Sequence, residues 1–160
     1  MSVVNQTDRA SFVLLHVGKS RYALPSRAIV ELAPPVRLHT FPHASKHVAG
    51  VIVRRGRIVP VYDVAPLLTG RESPLHRFYL VAEVGHGAER EPSAIPVTGE
   101  CELASGDLQP RSDDDPDYFT GKLIFGDQQV DVLNLESLVA AAAQAKQAAS
   151  AAASMEGARV

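Results

Sequence analysis

Short apolar runs rich in β-branched residues recur along most of the chain and are separated by turn residues. Runs of this length between frequent turns predict strands, and their spacing favours small barrels or a sandwich over a parallel α/β sheet. The predicted strands cover residues 12–17, 22–24, 29–32, 51–53, 58–64, 78–84, 94–97, 122–125 and 129–133. Glycine-containing turns at residues 18–21, 54–57 and 126–127 are typical of hairpins. We therefore expect a mainly β-fold.

Two features refine this expectation. Residues 58–64 are apolar on both alternating faces, which predicts a strand buried between two packed layers. Pro60 and Pro96 lie inside apolar runs, and because proline cannot donate a ladder hydrogen bond, each marks a strand edge or a bulge.

One long helix is expected near the C-terminus. Asn134 is a suitable N-cap for a helix that begins at Leu135 and enters an alanine-rich tract. Leu138, Val139 and Ala142 share one face of that helix, whereas beyond about residue 147 little remains to bury and the end is expected to fray. Residues 104–117 are predicted to form a loop, with their acidic run solvated.

The composition is that of an ordinary globular protein, with 46% hydrophobic and 21% charged residues. Cys101 is the single cysteine, so no intrachain disulfide can form. The polar N-terminus does not resemble a signal peptide, and no run of about 18 apolar residues suggests a membrane span. A cytoplasmic location is the simplest expectation.

The net charge of −2 is unevenly distributed along the chain. Residues 1–71 carry ten Lys or Arg against three Asp or Glu, a net charge of +7, whereas residues 72–160 carry six against fifteen, a net charge of −9. This asymmetry indicates a basic binding surface or two faces of opposite sign, unless folding mixes the charges.

Motifs for catalysis are not evident. The chain contains no nucleophile elbow, no phosphate-binding loop and no dinucleotide-binding glycine motif, so we expect neither an enzyme nor a cofactor. Cys101 is best interpreted as a small apolar filler. His39, His43 and His47 have helical spacing, but Pro42 interrupts a continuous helix and two ligands rarely hold zinc. Exposed histidines on a surface turn are favoured over a metal site.

Residues 41–64 read FPHASKHVAGVIVRRGRIVPVYDV. This segment resembles the central signature of the CheW family: a proline-led short helix, a glycine, a strand, an Arg-Gly turn and a strand of the form V-P-V-x-D-[L/V]. Residues 22–25 and 29–32 are similar to the family's tyrosine-led strand and its V-x-E-I segment. Residues 118–121 and 132–138 are similar to its closing hairpin and first helical turn, so the resemblance extends from about residue 12 to residue 138.

The resemblance implies two packed five-stranded SH3-like β-barrels with a C-terminal helix, and a protein that catalyses nothing. It implies a CheW-like domain (11–140), and the composition on either side predicts a flexible N-terminus (1–10) and a partly helical alanine-rich tail (141–160). Such adaptors couple methyl-accepting chemoreceptors to a CheA-type histidine kinase in two-component chemotaxis signalling. They bind the kinase's regulatory domain, receive the receptor's helical hairpin tip in a groove between the barrels, and meet the membrane only through receptors.

The resemblance also assigns candidate residues. Arg55 matches the arginine of the family's receptor-coupling turn, and Glu31 matches the V-x-E-I glutamate, which could orient Arg55 or bond a partner. The receptor-binding set is Arg55, Glu31, Val51 and Val53, and the kinase-binding set is Ile29 and Gly50. The alternatives are core packing for Ile29 and Val51, an unpartnered turn arginine for Arg55, and a solvated strand glutamate for Glu31.

Three departures from the family pattern keep other functions open. Val53 replaces the asparagine of the turn and Arg54 replaces an apolar residue, which suggests a different receptor specificity. Residues 94–110 are shorter than the family's strand pair and lack its valine-aspartate motif, so one alternative is a divergent regulator that binds only one partner.

A distant alternative is a basic β-barrel that binds nucleic acid through the arginines of residues 54–57, with few aromatic residues to stack on. The aromatic residues of this basic half are Phe12, Tyr22, Phe41 and Tyr62.

Overall fold

The computed structural model describes residues 10–40, 49–71, 78–85 and 87–142. Within these residues the chain forms ten strands and two α-helices. The strands are β1 (Ala10–Val17), β2 (Ser20–Pro25), β3 (Ile29–Ala33), β4 (Gly50–Arg54), β5 (Arg57–Val61), β6 (Phe78–Val84), β7 (Glu91–Val97), β8 (Glu102–Pro110), β9 (Phe119–Phe125) and β10 (Gln128–Leu133). The helices are α1 (Ala65–Thr69) and α2 (residues 135–142), and 3₁₀ turns lie at Ser26–Ala28 and Gly87–Glu89.

The strands form two five-stranded units. The first is a closed barrel in the order β1-β2-β10-β9-β8, and the second is a sheet in the order β3-β6-β7-β5-β4. The second unit is a continuous insertion between β2 and β8, and the first barrel is completed by the C-terminal strands. The predicted mainly β-fold with two five-stranded units and a C-terminal helix is therefore confirmed.

Three apolar clusters form the core, and one of them lies between the two units. Phe12 and Leu14 on β1 face the interior of the first barrel, whereas Leu15 and Val17 on the same strand enter a second cluster shared with β6, β7 and α2. A third cluster, around Ile52, fills the second unit. Because β1 is apolar on both faces, it contributes to the core of its own barrel and to the core between the units.

The predicted loop at residues 104–117 is wrong over its first half. Residues 104–110 belong to β8, which pairs with β1 as far as Gly106 and with β9 from Asp107 onward. Backbone pairing with two strands of the barrel thus outweighs a composition typical of loops. Residues 111–117 do lie outside strands and helices, as predicted.

The predicted burial of residues 58–64 on both faces is also partly wrong. The strand ends at Val61, where Val59 and Val61 enter the core, but Ile58 is 70% exposed. No second layer covers the Ile58 face of β5 among the described residues. Pro60 lies where β5 pairs only with β4, because the pairing between β5 and β7 is confined to Val61 and Ala94. Pro96 lies on β7, two residues beyond Ala94, where it pairs with Tyr79 of β6.

The sequence signals for the C-terminal helix α2 were more reliable than those for the strands. Asn134 Oδ1 accepts a hydrogen bond from Ser137 N at 3.2 Å, which confirms the predicted N-cap. Leu138 is fully buried in the core between the units, and Val139 and Ala142 pack beside it. No helix in the described part of the chain is long and apolar enough to cross a membrane.

Candidate partner-binding site

A register shift in β3 determines the position of Glu31. Ile29 pairs with Ala82 and Glu31 pairs with Val81, so Val30 is an extra residue in the strand, as in a β-bulge. Glu31 then shares the inward face of β3 with Ala33, which lies in the core of the second unit. The carboxylate therefore lies at one end of that core, with its side chain only 14% exposed.

The β4–β5 hairpin brings arginines to this carboxylate. Arg54 Nε donates to Glu31 Oε1 at 2.5 Å, and Arg55 Nη2 lies 3.5 Å from Glu31 Oε2. The first contact is a short charge-assisted hydrogen bond, and the second is an ion pair beyond hydrogen-bond distance. Because β3 and β4 are the two ends of the sheet order, these side chains connect strands that share no described ladder.

The main chain supplies a second connection at the β4 edge. His39 N donates to Val51 O at 2.8 Å, and Val51 N donates to His39 O at 2.9 Å. The segment that follows β3 thus covers part of β4, and a Cβ at Gly50 would lie 2.6 Å from His39 O. Only glycine permits this close approach, so the structure gives Gly50 an internal role.

Arg55 occupies a strained position on the turn. Arg54 pairs with Arg57, so Arg55 and Gly56 form a two-residue turn with φ of 51° and 77°. Such turns favour Asn, Asp or Gly, and a non-glycine residue with positive φ costs about 1 kcal/mol. A residue held in this conformation is a candidate for function, and the Arg55 side chain is 80% exposed.

The ion pairs change the acidity of Glu31. The hydrogen bond from Arg54 lowers the pKa of Glu31, and the charges of Arg54 and Arg55 lower it further. Partial burial acts in the opposite direction; its effect on the pKa is smaller than that of the hydrogen bond from Arg54 but larger than that of either charge. Glu31 is therefore a carboxylate held in its charged form between two guanidinium groups.

An exposed apolar pair lies on the outer face of the same hairpin. Val53 and Ile58 are opposite one another in register and are 51% and 70% exposed. On the first barrel, Leu103 of β8 is 79% exposed. Exposed apolar side chains beside a charged turn are typical of surfaces that bind proteins.

The remaining predicted residues have more internal positions. Ile29 is half-buried against the core between the units, and Val51 is half-buried next to His39. A cavity of about 430 Å³ is lined by first-barrel strands and the turn at Ser26 and Arg27, so it does not contain these residues. The structure thus places Arg55 and Val53 on one hairpin with Glu31 beside it, whereas Ile29 packs against the core between the units.

Other candidate chemistry receives little support within the described residues. Cys101 is half-buried beside the shared core, and burial raises the pKa of its thiol. No group of three potential metal ligands occurs in the described segments, and His43 and His47 lie outside them. Phe12 and Tyr22 are buried in the cores, so they offer no stacking surface for bases; Phe41 also lies outside the described residues.

Two residues of the site escaped the sequence interpretation. Arg54 was considered as a departure from the family pattern and as one of the arginines of a nucleic-acid surface, but not as a partner of Glu31, and Ile58 was predicted to be buried. The signal that could have found Arg54 is its position: it lies two residues after the core residue Ile52, so an inward direction follows from strand alternation.

Comparisons with known proteins agree with this geometry. Residues 11–143 match the family model described as CheW-like domain. A search of curated proteins finds no match. Among solved structures, the scaffolding protein TtCheW from Thermoanaerobacter tengcongensis is similar with a TM-score of 0.69 and 17% sequence identity. The similarity covers 81% of this chain and 87% of that one. Because the family model spans most of the sequence and the two SH3-like units are present, the chain belongs to the family of CheW-like domains.

Proposed function

We propose that this protein is a non-catalytic cytoplasmic adaptor that couples methyl-accepting chemoreceptors to a CheA-type histidine kinase. The observation that carries the proposal is the family match over residues 11–143. The exposed Arg55 on a strained turn supports it, because a rigidly held guanidinium can make a forked bond to a carboxylate on a partner. The adaptor acts by shifting the kinase between conformational states.

The proposal assigns different surfaces to the two partners. The Arg55 end of the hairpin, with Glu31, Val51 and Val53 nearby, contacts the receptor tip. The regulatory domain of the kinase binds the region of Ile29 and Gly50. Electrostatic recognition at the first surface makes receptor binding sensitive to a change of charge at Arg55.

Calorimetric titration with each partner separately tests the assignment. The titrants are the regulatory domain of the cognate kinase and a soluble cytoplasmic fragment of the cognate receptor. We expect Arg55→Glu to weaken receptor binding by at least about tenfold, equivalent to about 1.4 kcal/mol, and to leave kinase binding unchanged. Arg57→Glu, which makes the same charge change on an exposed residue of the same hairpin, serves as the control.

The titrations also distinguish the alternative of a regulator with one partner. That alternative rests on the unusual sequence of residues 94–110, which nevertheless form most of β7 and β8. Binding of wild-type protein to only one titrant would favour it. Binding to neither would contradict the adaptor function, and equal losses in Arg55→Glu and Arg57→Glu would contradict the role of Arg55.

A further inference from the structure

A cavity of about 430 Å³ lies at one end of the first barrel, where β1 and β9 begin and β2 and β10 end. Phe12 and Val132 line it and are almost fully buried, so they form its apolar interior. Leu108 of β8 borders it and is 44% exposed. None of the residues proposed above to bind the receptor or the kinase lines this barrel-end cavity, so it is a separate feature of the molecule.

The pairing of the strands builds this opening into the barrel. Leu108 pairs with Leu123, which is fully buried in the first-barrel core, and opposite residues of an antiparallel pair share a face. Leu108 therefore points inward and yet remains half-exposed, which marks a gap in the barrel. Gly121, the β9 partner of Val132, adds no side chain to fill the gap. A Cβ at Gly121 would lie 2.0 Å from Gln109 O, so only glycine is accommodated there.

Hydroxyl groups surround the apolar interior. The register between β9 and β10 shifts at Thr120, which has no partner across the ladder, and such a bulge redirects a side chain. Thr120 lines the cavity together with Ser11 of β1 and Ser26 of the turn after β2. The three hydroxyls make no hydrogen bond with another described residue. They are therefore available to a ligand.

Arg27 gives the cavity its charge. This exposed residue lies on the 3₁₀ turn, and its guanidinium makes no hydrogen bond or ion pair with another described residue. Among the described residues that line the cavity, none is Asp or Glu. A guanidinium matches the geometry of a carboxylate, and the ten acidic residues against five basic ones around the first barrel disfavour a ligand with several negative charges.

We propose that the barrel-end cavity is a binding site for a small monocarboxylate with an apolar body. Arg27 holds the carboxylate beside the hydroxyls, while the apolar body packs against Phe12, Leu108 and Val132. The volume lies within the range of about 300–1,000 Å³ for small-molecule sites, which likewise combine an apolar lining with a few polar groups. This site goes beyond the adaptor function, because it requires neither the receptor nor the kinase.

A ¹H–¹⁵N NMR titration of the full chain at constant ionic strength tests the site. The probes are hexanoate, hexan-1-ol, which has the same chain length without the charge, and acetate, which has the charge without the chain. We expect hexanoate to shift the amides of Ser11, Ser26 and Thr120 with a Kd on the order of 1 mM, and the other two probes to bind at least about fivefold more weakly. No saturable shifts up to about 20 mM hexanoate, or shifts confined to other parts of the chain, would overturn the proposal.

Two variants test the assigned contacts. We expect Arg27→Gln to weaken hexanoate binding by about five- to tenfold and to leave hexan-1-ol binding unchanged, because only the charge-assisted bond is lost. Arg57→Gln, the same change at an exposed arginine outside the cavity, is the control and should bind hexanoate as the wild type does. Leu108→Trp narrows the opening and should weaken both probes. Hexanoate affinity equal to that of the wild type in either Arg27→Gln or Leu108→Trp would contradict the site.

Discussion

At the Glu31 carboxylate, one oxygen accepts a hydrogen bond from Arg54 and the other faces the Arg55 guanidinium. The side chain is 14% exposed, so solvent screens these contacts less than it would on an open surface. Removal of the charge leaves Arg54 without its described carboxylate partner. A hydrogen bond to a charged group of this kind contributes about 1.5–3 kcal/mol when it is mostly buried, and less with the exposure of Arg54.

The lowered pKa of Glu31 predicts a pH-dependent contribution to stability. Because the folded-state pKa of Glu31 lies below the ordinary glutamate value of 4.5, the stabilisation is fully present above that value and is lost as the pH falls through the folded-state pKa. We expect the free energy of unfolding of the wild type to exceed that of Glu31→Gln by about 1 kcal/mol near pH 7, and the difference to shrink below about pH 4.5. Urea titrations at several pH values measure it.

Glu102→Gln is a suitable control because Glu102 is an exposed strand residue on β8. Its substitution should leave the stability profile close to that of the wild type. A difference between wild type and Glu31→Gln that persists unchanged at pH 3 would contradict the assignment of the stabilisation to the charged carboxylate.

The family resemblance nominated Glu31 and Arg55, which lie 3.5 Å apart, but it did not predict that Arg54 makes the shorter contact with the same carboxylate. The bulge at Val30 sets the direction in which the Glu31 side chain points. A one-residue change of register reverses every side chain of a strand, so the identity of the nearer arginine depends on a feature that composition does not reveal. The exposure of Ile58 was not predicted for a similar reason. The sequence alone does not distinguish an exposed apolar residue opposite Val53 from a buried one.

At the scale of elements, β8 shows why a strand was predicted as a loop. Nearly all of its residues are exposed or half-exposed, so it lacks the apolar alternation that identifies strands. Its role is to connect β1 to β9 and close the barrel, with the change of partner at Gly106. A Cβ at Gly106 would lie 2.2 Å from the carbonyl oxygen of Ile124, so the two strands approach too closely there for any side chain.

Substitution of this glycine tests the closure of the barrel. We expect Gly106→Ala to lower the free energy of unfolding by about 2 kcal/mol, typical of forced overpacking, because the backbone of β9 must move. Ser105→Ala, at the exposed neighbouring residue, serves as the control and should change stability by less than about 0.5 kcal/mol. The midpoint of urea unfolding measures both. Equal stability of Gly106→Ala and wild type would contradict the described approach of β8 and β9.

At the scale of the whole molecule, polar contacts support the apolar core between the two units. Tyr22 Oη donates to Leu68 O at 3.2 Å, and Thr98 Oγ1 donates to Gly18 O at 3.0 Å. Thr98 N also donates to His16 O at 2.8 Å. These bonds connect the first barrel to α1 and to the segment after β7, so the units are joined at several points besides their side-chain packing.

The charge asymmetry along the sequence is only partly retained between the two units. Residues 10–28 and 98–142, which contain the first barrel, carry five Lys or Arg against ten Asp or Glu, a net charge of −5. The described residues between 29 and 97 carry six against five, a net charge of +1. The mainly β class was accessible from sequence because hairpin turns and apolar runs are local signals, whereas the arrangement in two five-stranded units followed from the family resemblance. The charge distribution was not accessible from sequence, because β8 to β10 return to complete the barrel begun by β1.

The rate of kinase autophosphorylation in the presence of receptor-containing membranes tests the central claim most directly. We predict that the wild-type protein raises this rate only when receptor and kinase are both present, and that Arg55→Glu binds the kinase but does not activate it. Activation by Arg55→Glu equal to that by the wild type would contradict the proposed receptor contact. A rate that is the same with and without the wild-type protein would contradict the coupling function.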